Sequence, residues 1–321
     1  MNFFLATIGD RPWHDRCLQE WRLLAAADSV GRHAVVAGPN AADRVVFVDL
    51  HQHPHDPFLR DLRNHPLTSA YADKVQVYDQ RDRPVRTFSG VYVSAKGRWA
   101  GSVTAGGPYP YLHNSEVSAV EAVEPDLLWS FCGAMTHPVR QAILRLPRVD
   151  AEIRDTSSVP MFAGAPDVTE VVQARADYAR LMRRSRYVLS PRGHGPSSFR
   201  LFETLASGRV PVIISDDWLP PPRVDWAQCS IRVREKDVDA IPDLLRARSS
   251  SDWSLMRAAA EKVWVEHLAP DRLWDHLAGT LAGLRTTGRR TYRFRPEALR
   301  LHAARTLSRG RTTLAGGHGR R

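Results

Sequence analysis

Between Tyr187 and Leu219 the chain reads YVLSPRGHGPSSFRLFETLASGRVPVIISDDWL. This is a strand, a glycine loop, a helix, a glycine stop and a second strand. In the loop, Gly193 and Gly195 let backbone approach a ligand closely, and Ser197 is placed to cap the helix that follows. A helix N-terminus reached through such a loop draws anions with its free N–H groups and its dipole. Arg200, in the first turn, faces the positive end of that dipole, and a diphosphate lying between the two would make this placement favourable. Glu203 shares the face of Arg200 one turn on and is spaced to accept the two hydroxyls of a ribose. An exposed Arg200–Glu203 ion pair is the plainer alternative for the same spacing. His194 adds a second possible phosphate or sugar contact. Ser215, Asp216 and Asp217 leave the second strand at its C-terminal edge, where open α/β sheets bind ligands. Two adjacent acids do not match an Asp-x-Asp metal pair, so Asp216 and Asp217 are expected to line a cleft or cap a turn. Trp218 beside them could stack on a sugar ring or a base.

A second set of polar residues follows the strand Val45–Leu50: Asp49, His51, His53, His55 and Asp56. Asp10 and His14 follow the first strand. Each set would stand at a strand's C-terminal edge, and a general base for a hydroxyl group is usually His, Asp or Glu. Asp10, His51 and His53 are the candidates taken forward as catalytic, with solvated loop positions as the alternative. Asp49-Leu50-His51-Gln52-His53 is also similar to the first metal ligands of amidohydrolase-type barrels, because alternate residues leaving a strand can place two imidazoles on one ion. Such a barrel needs eight strands and later ligand groups, and no second spaced group follows. An adventitious site at His51, His53 and His55 is the milder form of this reading. No metal or other cofactor is expected to be required.

The elements that must position these residues read as an α/β layer. Apolar strand-like runs occur at Phe3–Ile8, His33–Ala37, Val45–Leu50, Val75–Tyr78 and Gly90–Ser94, and Cys17–Ala27 has helical periodicity. A second series starts at Leu127–Phe131 and continues through a helix at Pro138–Leu146, a loop at Arg154–Asp167 and a helix at Val171–Arg184. It includes the stretch quoted above, a weaker strand at Cys229–Val233 and helices at Asp252–His267 and Asp271–Leu284. The division between the series is expected near residues 115–126. This gives domains at 1–122 and 123–284, followed by a tail at 285–321.

The phrase PRGHGPSSFRLFETLASGRVPVIISDDW resembles the core of the exostosin family, glycosyltransferase family 47. Two weaker stretches agree: Leu128–Ala134 with Val139-Arg140, and Lys74–Asp79 with Asp82, Pro84 and Gly90-Val91-Tyr92. The resemblance runs from about residue 43 to about residue 270. It implies a GT-B architecture, with two Rossmann-like domains facing across a cleft. It also implies a nucleotide-sugar donor, typically a UDP-sugar, on the second domain, and transfer with inversion. On that footing Arg200 holds the diphosphate and Glu203 the ribose, Arg140 is a second phosphate contact, and Ser197 and Ser198 supply donors beside the loop Arg192-Gly193-His194-Gly195. The acceptor would be a saccharide or a lipid-linked glycan, in the assembly of a cell-surface glycan or glycoconjugate. One place departs from the family, which often has arginine where this chain has Cys132. The alternative reading is a degenerate member that binds nucleotide sugar or glycan without transferring it.

Composition sets the remaining bounds. The chain has 321 residues, 43% hydrophobic and 25% charged, which is globular and fits about two domains. No apolar run is long enough to span a bilayer, and the N-terminus has no basic region before its apolar run. Three distant cysteines with no CxxC argue against a disulfide framework and a structural zinc site. A cytoplasmic protein is therefore expected. From Arg285 to Arg321 there are eleven arginines, no lysine and one acid, so the whole net charge of +10 lies there and the first 284 residues are neutral. That segment, with helix-like character at 296–307, is expected to dock on an anionic membrane surface. Nucleic acid is disfavoured, since no aromatic-interleaved motif accompanies the arginines.

Overall fold

The computed structural model describes residues 1–56, 59–118, 123–159 and 169–288. The apolar runs form two parallel sheets. The first contains β1 (Asn2–Ala6), β2 (Ala34–Val35), β3 (Arg44–Phe47), β4 (Val75–Asp79), β5 (Gly90–Tyr92) and β6 (Thr104–Gly106), in the order β2-β1-β3-β4-β5-β6. The second contains β7 (Leu127–Gly133), β8 (Ala151–Asp155), β9 (Ser185–Pro191), β10 (Val210–Ile214) and β11 (Ile231–Val233), in the order β11-β10-β9-β7-β8. Parallel strands need crossovers, and helices supply most of them. These are α1 (Pro12–Ala26), α2 (Arg60–Asn64), α3 (Pro66–Ala70), α4 (Pro138–Ile143), α5 (Thr169–Arg183), α6 (Phe199–Ala206) and α7 (Trp226–Cys229), while α8 (Ile241–Arg246), α9 (Ser250–Val263) and α10 (Leu273–Gly283) follow the last strand. Strands β4 and β10 are buried throughout, and β10 reads as a continuous apolar run, as strands covered on both faces do. Two parallel-strand layers of this kind are the two-domain GT-B arrangement expected from the sequence.

Local differences have local causes. Helix α1 begins five residues before the periodic run, because Pro12 is pre-set for the first helical position. Strand β8 takes Arg154 and Asp155, which the turn-forming composition assigns to a loop. It is an edge strand, and its exposed charges hide the strand pattern. Residues 160–168 of that expected loop lie outside the described residues, as do residues 119–122 of the expected division and 289–321 of the tail. Helix α6 starts at Phe199, so Ser198 and not Ser197 is its N-cap, and the Ser198 hydroxyl makes no capping bond. Gly208 ends that helix with φ +62°, a conformation open to glycine at no steric cost.

The last described helix crosses back to the first sheet. The Trp274 ring meets Phe3 edge-on at 5.6 Å, and its Nε1 donates to the His33 carbonyl at 3.0 Å. Gln76 Nε2 donates to the Leu281 carbonyl at 3.0 Å, and Arg32 pairs with Asp275. The first layer is thus closed by residues from both ends of the described chain. No described helix is long and apolar enough to cross a membrane.

Candidate functional site

The loop after β9 and the first turn of α6 face the end of β7 across a small cavity of ≈180 Å³. Its walls include Arg140, Gly193, Ser197, Ser198 and Arg200, with Asp82 from the loop between β4 and β5. Arg200 is 1% exposed. Its Nη2 donates to the Cys132 carbonyl, and its guanidinium lies over the Phe131 ring at 4.9 Å. Its Nε and Nη1 have no partner among the described residues. Buried charged donors left unpaired are costly, and no described residue meets these two, so a bound anion would relieve them.

Arg140 approaches from α4. Its Nε donates to the Arg192 carbonyl at 2.8 Å, Nη1 to Ala134 at 2.9 Å and Nη2 to Pro191 at 3.2 Å. Burial, reinforced by the charge of Arg200, pulls its pKa down to about 9. Two like charges thus share one buried cavity, and an anion is the species that would relieve both. Gly193 keeps the loop close to Arg140: a Cβ there would stand 3.2 Å from Nη2. Gly195 is packed against Ser94 and Asp82 of the first domain, and a side chain in its place would collide with both.

Several expected residues sit elsewhere. Glu203 is fully buried and does not line the cavity. Its Oε2 accepts from Tyr178 Oη at 2.6 Å and its Oε1 from the Asn114 amide at 3.1 Å. Burial pushes its pKa up to about 7, against the lowering effect of Tyr178 and Arg200. The carboxylate therefore ties the 109–114 connection to the second domain. The Arg192 side chain turns away to Glu235 at 3.5 Å, and only its carbonyl serves the site, through Arg140. Asp216 and Glu235 exchange bonds between side chain and backbone N–H and so cap the turn there, while Asp217 faces Arg98 at 3.5 Å. Trp218 is buried against Trp226 at 5.2 Å and does not line the cavity.

A second cavity of ≈490 Å³ adjoins the first and shares Asp82, Tyr109, His194 and Phe199 with it. His51, Arg81 and His113 complete its wall. Of the expected catalytic residues, His51 lies here. Its Nδ1 is buried without a partner among the described residues, and burial lowers its pKa from 6.5, leaving a neutral imidazole. Asp10 is exposed beyond β1 and lines neither cavity. His53 is turned to Asp49 at 3.2 Å, and His14 Nδ1 lies 2.7 Å from the same oxygen without hydrogen-bond geometry. Burial acts to raise the Asp49 pKa, but bonds from His53 and from the Ile8 N–H outweigh it and hold the group below its ordinary value. The metal-type grouping of the structure is therefore His14, Asp49 and His53, with donor atoms within 4.8 Å of one another, and not His51, His53 and His55.

The sequence did not single out Asp82, Tyr109 or His113 as site residues. Asp82 faces His194 Nδ1 at 4.0 Å across the cleft, and both side chains are about half exposed. Surrounding protein raises the Asp82 carboxyl pKa, while His194, Arg83 and Arg140 act the other way. His113 packs on Phe199 at 4.5 Å, and burial lowers its pKa to about 4. Tyr109 and His113 come from a connection without a motif of its own, Asp82 from the weaker family-like stretch, and only the meeting of the two sheets' loops brings them together.

Comparison with known proteins places the chain in a family. The family profile described as the Exostosin GT47 domain matches residues 36–247. The Exostosin-1 homolog of Caenorhabditis elegans is 41% identical over 96 residues, 29% of this chain and 25% of that protein. A probable glucuronoxylan glucuronosyltransferase of Arabidopsis thaliana, IRX7, is 38% identical over 91 residues, 28% of this chain and 20% of that protein. The matches thus span a quarter or less of these curated relatives. Two solved structures overlap loosely. WaaG, a glycosyltransferase involved in lipopolysaccharide biosynthesis, gives a TM-score of 0.36 at 10% identity over 87% of this chain and 100% of that chain. Anabaena Alr3699/HepE in complex with UDP-glucose gives 0.37 at 11% identity over 88% of this chain and 99% of that chain.

Proposed function

Because the chain belongs to the exostosin GT47 family of glycosyltransferases, we propose that it transfers a sugar, with inversion, from a nucleotide-sugar donor to a saccharide or lipid-linked acceptor. The observation that carries the reading is the pair of buried guanidiniums, Arg140 and Arg200, at the α6 N-terminus, with two donors of Arg200 unpartnered. A diphosphate fits that charge and that donor set, and UDP is the nucleotide we assign to it. The sugar then extends into the adjoining cavity among Tyr109, His113, His194 and Phe199.

In the transfer, the acceptor oxygen bonds to the anomeric carbon on the face opposite the nucleotide as the bond to the phosphate oxygen breaks. The electron pair goes to the departing diphosphate, whose growing charge is met by Arg140, Arg200 and the N–H groups at the start of α6. Asp82 takes the acceptor proton, because it alone among the acids lining these cavities belongs to both. His51, which lines only the larger of the two cavities, positions the acceptor. No metal or other cofactor has a part in this scheme. We place the enzyme in the cytoplasm, with the segment 285–321 against an anionic membrane face, and divide it functionally into acceptor residues 1–122 and donor residues 123–284.

Thermal shift with UDP and UDP-sugars tests the reading. At about 100 times its dissociation constant a ligand stabilises the fold by roughly 2.7 kcal/mol. The wild type should show that shift and Arg200→Ala should lose it, and a chelator should leave transfer intact. Absence of any nucleotide shift in a folded wild type would overturn the donor assignment. A shift without transfer or donor hydrolysis would instead identify a binding protein.

A further inference from the structure

An ≈800 Å³ groove lies beside the cleft, and its walls are mostly apolar. One wall is α1, which turns Cys17, Trp21 and Leu24 toward it at helical spacing, with Leu23 at 62% exposure on the rim. The other wall is the connection Pro110–Leu112. The groove is continuous with the transfer cavity, since His51, Gln80, Tyr111 and His113 line both. The groove therefore opens at His51 into the cavity that Asp82 also lines.

Glu20, Gln52 and Arg175 line parts of the groove, but along the strip of Trp21, Leu24, Pro110 and Leu112 a bare polysaccharide would find nearly no side-chain partners for its hydroxyls. Burying unpaired hydroxyls is unfavourable. An alkyl chain gains from the same surface in proportion to the area it covers.

We propose that the acceptor is lipid-linked: its sugar reaches Asp82, and its alkyl or isoprenyl chain lies between α1 and residues 110–112. This rests on the glycosyl-transfer reading above and selects one of the two acceptor classes left open there.

The test uses the full chain and a series of methyl, butyl, hexyl and octyl β-glucosides, held below their micelle concentrations. Binding is read by tryptophan fluorescence, with the UDP thermal shift measured in parallel. Affinity should rise by up to about fourfold per methylene. Leu23→Glu is an exposed substitution that the fold should accept. It should weaken octyl glucoside at least tenfold and keep the UDP shift. A flat series beside an intact UDP shift would overturn the lipid-linked acceptor and leave the donor reading standing, and so would a chain-length gradient that Leu23→Glu does not change. Loss of the UDP shift in the wild type would remove the transferase reading, and the acceptor role with it.

Discussion

Gly133 and Arg200 divide one volume between them: the guanidinium of Arg200 stands where any side chain at 133 would begin. A Cβ there would collide with Nη2 and stand 3.2 Å from Cζ, with the Phe131 ring 3.4 Å away on the other side. The arginine cannot retreat without leaving the ring and the Cys132 carbonyl that hold it. Gly133→Ala should therefore dislodge Arg200 while the strand survives, since Gly to Ala at an ordinary extended position costs the chain little. UDP binding by calorimetry should weaken at least tenfold, about 1.4 kcal/mol. An unchanged dissociation constant would show that the seating of Arg200 does not govern donor binding.

Arg200→Met separates function from stability. The wild-type side chain is buried with Nε and Nη1 unpartnered, so it burdens the ligand-free fold. Methionine has a similar reach and can rest on Phe131 as a sulfur–aromatic contact. The variant should melt no lower than the wild type without ligand, and UDP should no longer shift it. A lower melting temperature together with an intact UDP shift would make Arg200 a structural residue.

The sequence made the second domain more legible than the first. Residues 187–219 contain loop, helix, stop and strand in one continuous stretch, so Arg200, Gly193 and Gly208 are found where spacing put them. The first domain's contribution comes from separated loops. Asp82 and His51 are 31 positions apart and reach one cavity only because β3 and β4 are neighbours in the sheet. Glu203 shows the limit of helical spacing. It does share a side of α6 with Arg200, but spacing does not tell whether that side meets a ligand or the 109–114 connection, and Asn114 and Tyr178 occupy the carboxylate. His53 fails for a related reason: alternation along the chain set it beside His51, but the turn at 50–52 directs it back to Asp49.

Glu203 should give the fold a measurable pH dependence. Its pKa rises from 4.5 in the unfolded chain to about 7 in the folded one, chiefly through burial. The unfolded chain therefore gives up this proton first. The contribution to stability is complete below pH 4.5, declines as pH rises toward 7, and is flat beyond. Its full size is about 3 kcal/mol at most. Glu203→Gln stays neutral at every pH and should remove this part of the slope. Urea denaturation of both proteins between pH 4.5 and 8 measures it, and parallel curves would refute a raised Glu203 pKa.

Asp82 and His51 should fail in different ways. Asp82 stands at the junction of both cavities, where the acceptor proton must leave. Asp82→Asn keeps its shape and removes its basicity, so kcat should fall by about 10² to 10⁴ with the UDP shift retained. His51 lies farther from the diphosphate end, and His51→Gln should mainly raise the acceptor KM. The pH profile gives an independent check. Asp82 must be ionised to act, and its surroundings raise its carboxyl pKa from 3.8. Activity should therefore rise with pH through a midpoint above 3.8, and that limb should vanish in the residual activity of Asp82→Asn but persist in His51→Gln. The reverse pattern would pass the base role to His51, whose pKa is lowered from 6.5 by burial, and would leave Asp82 as a contact for the sugar.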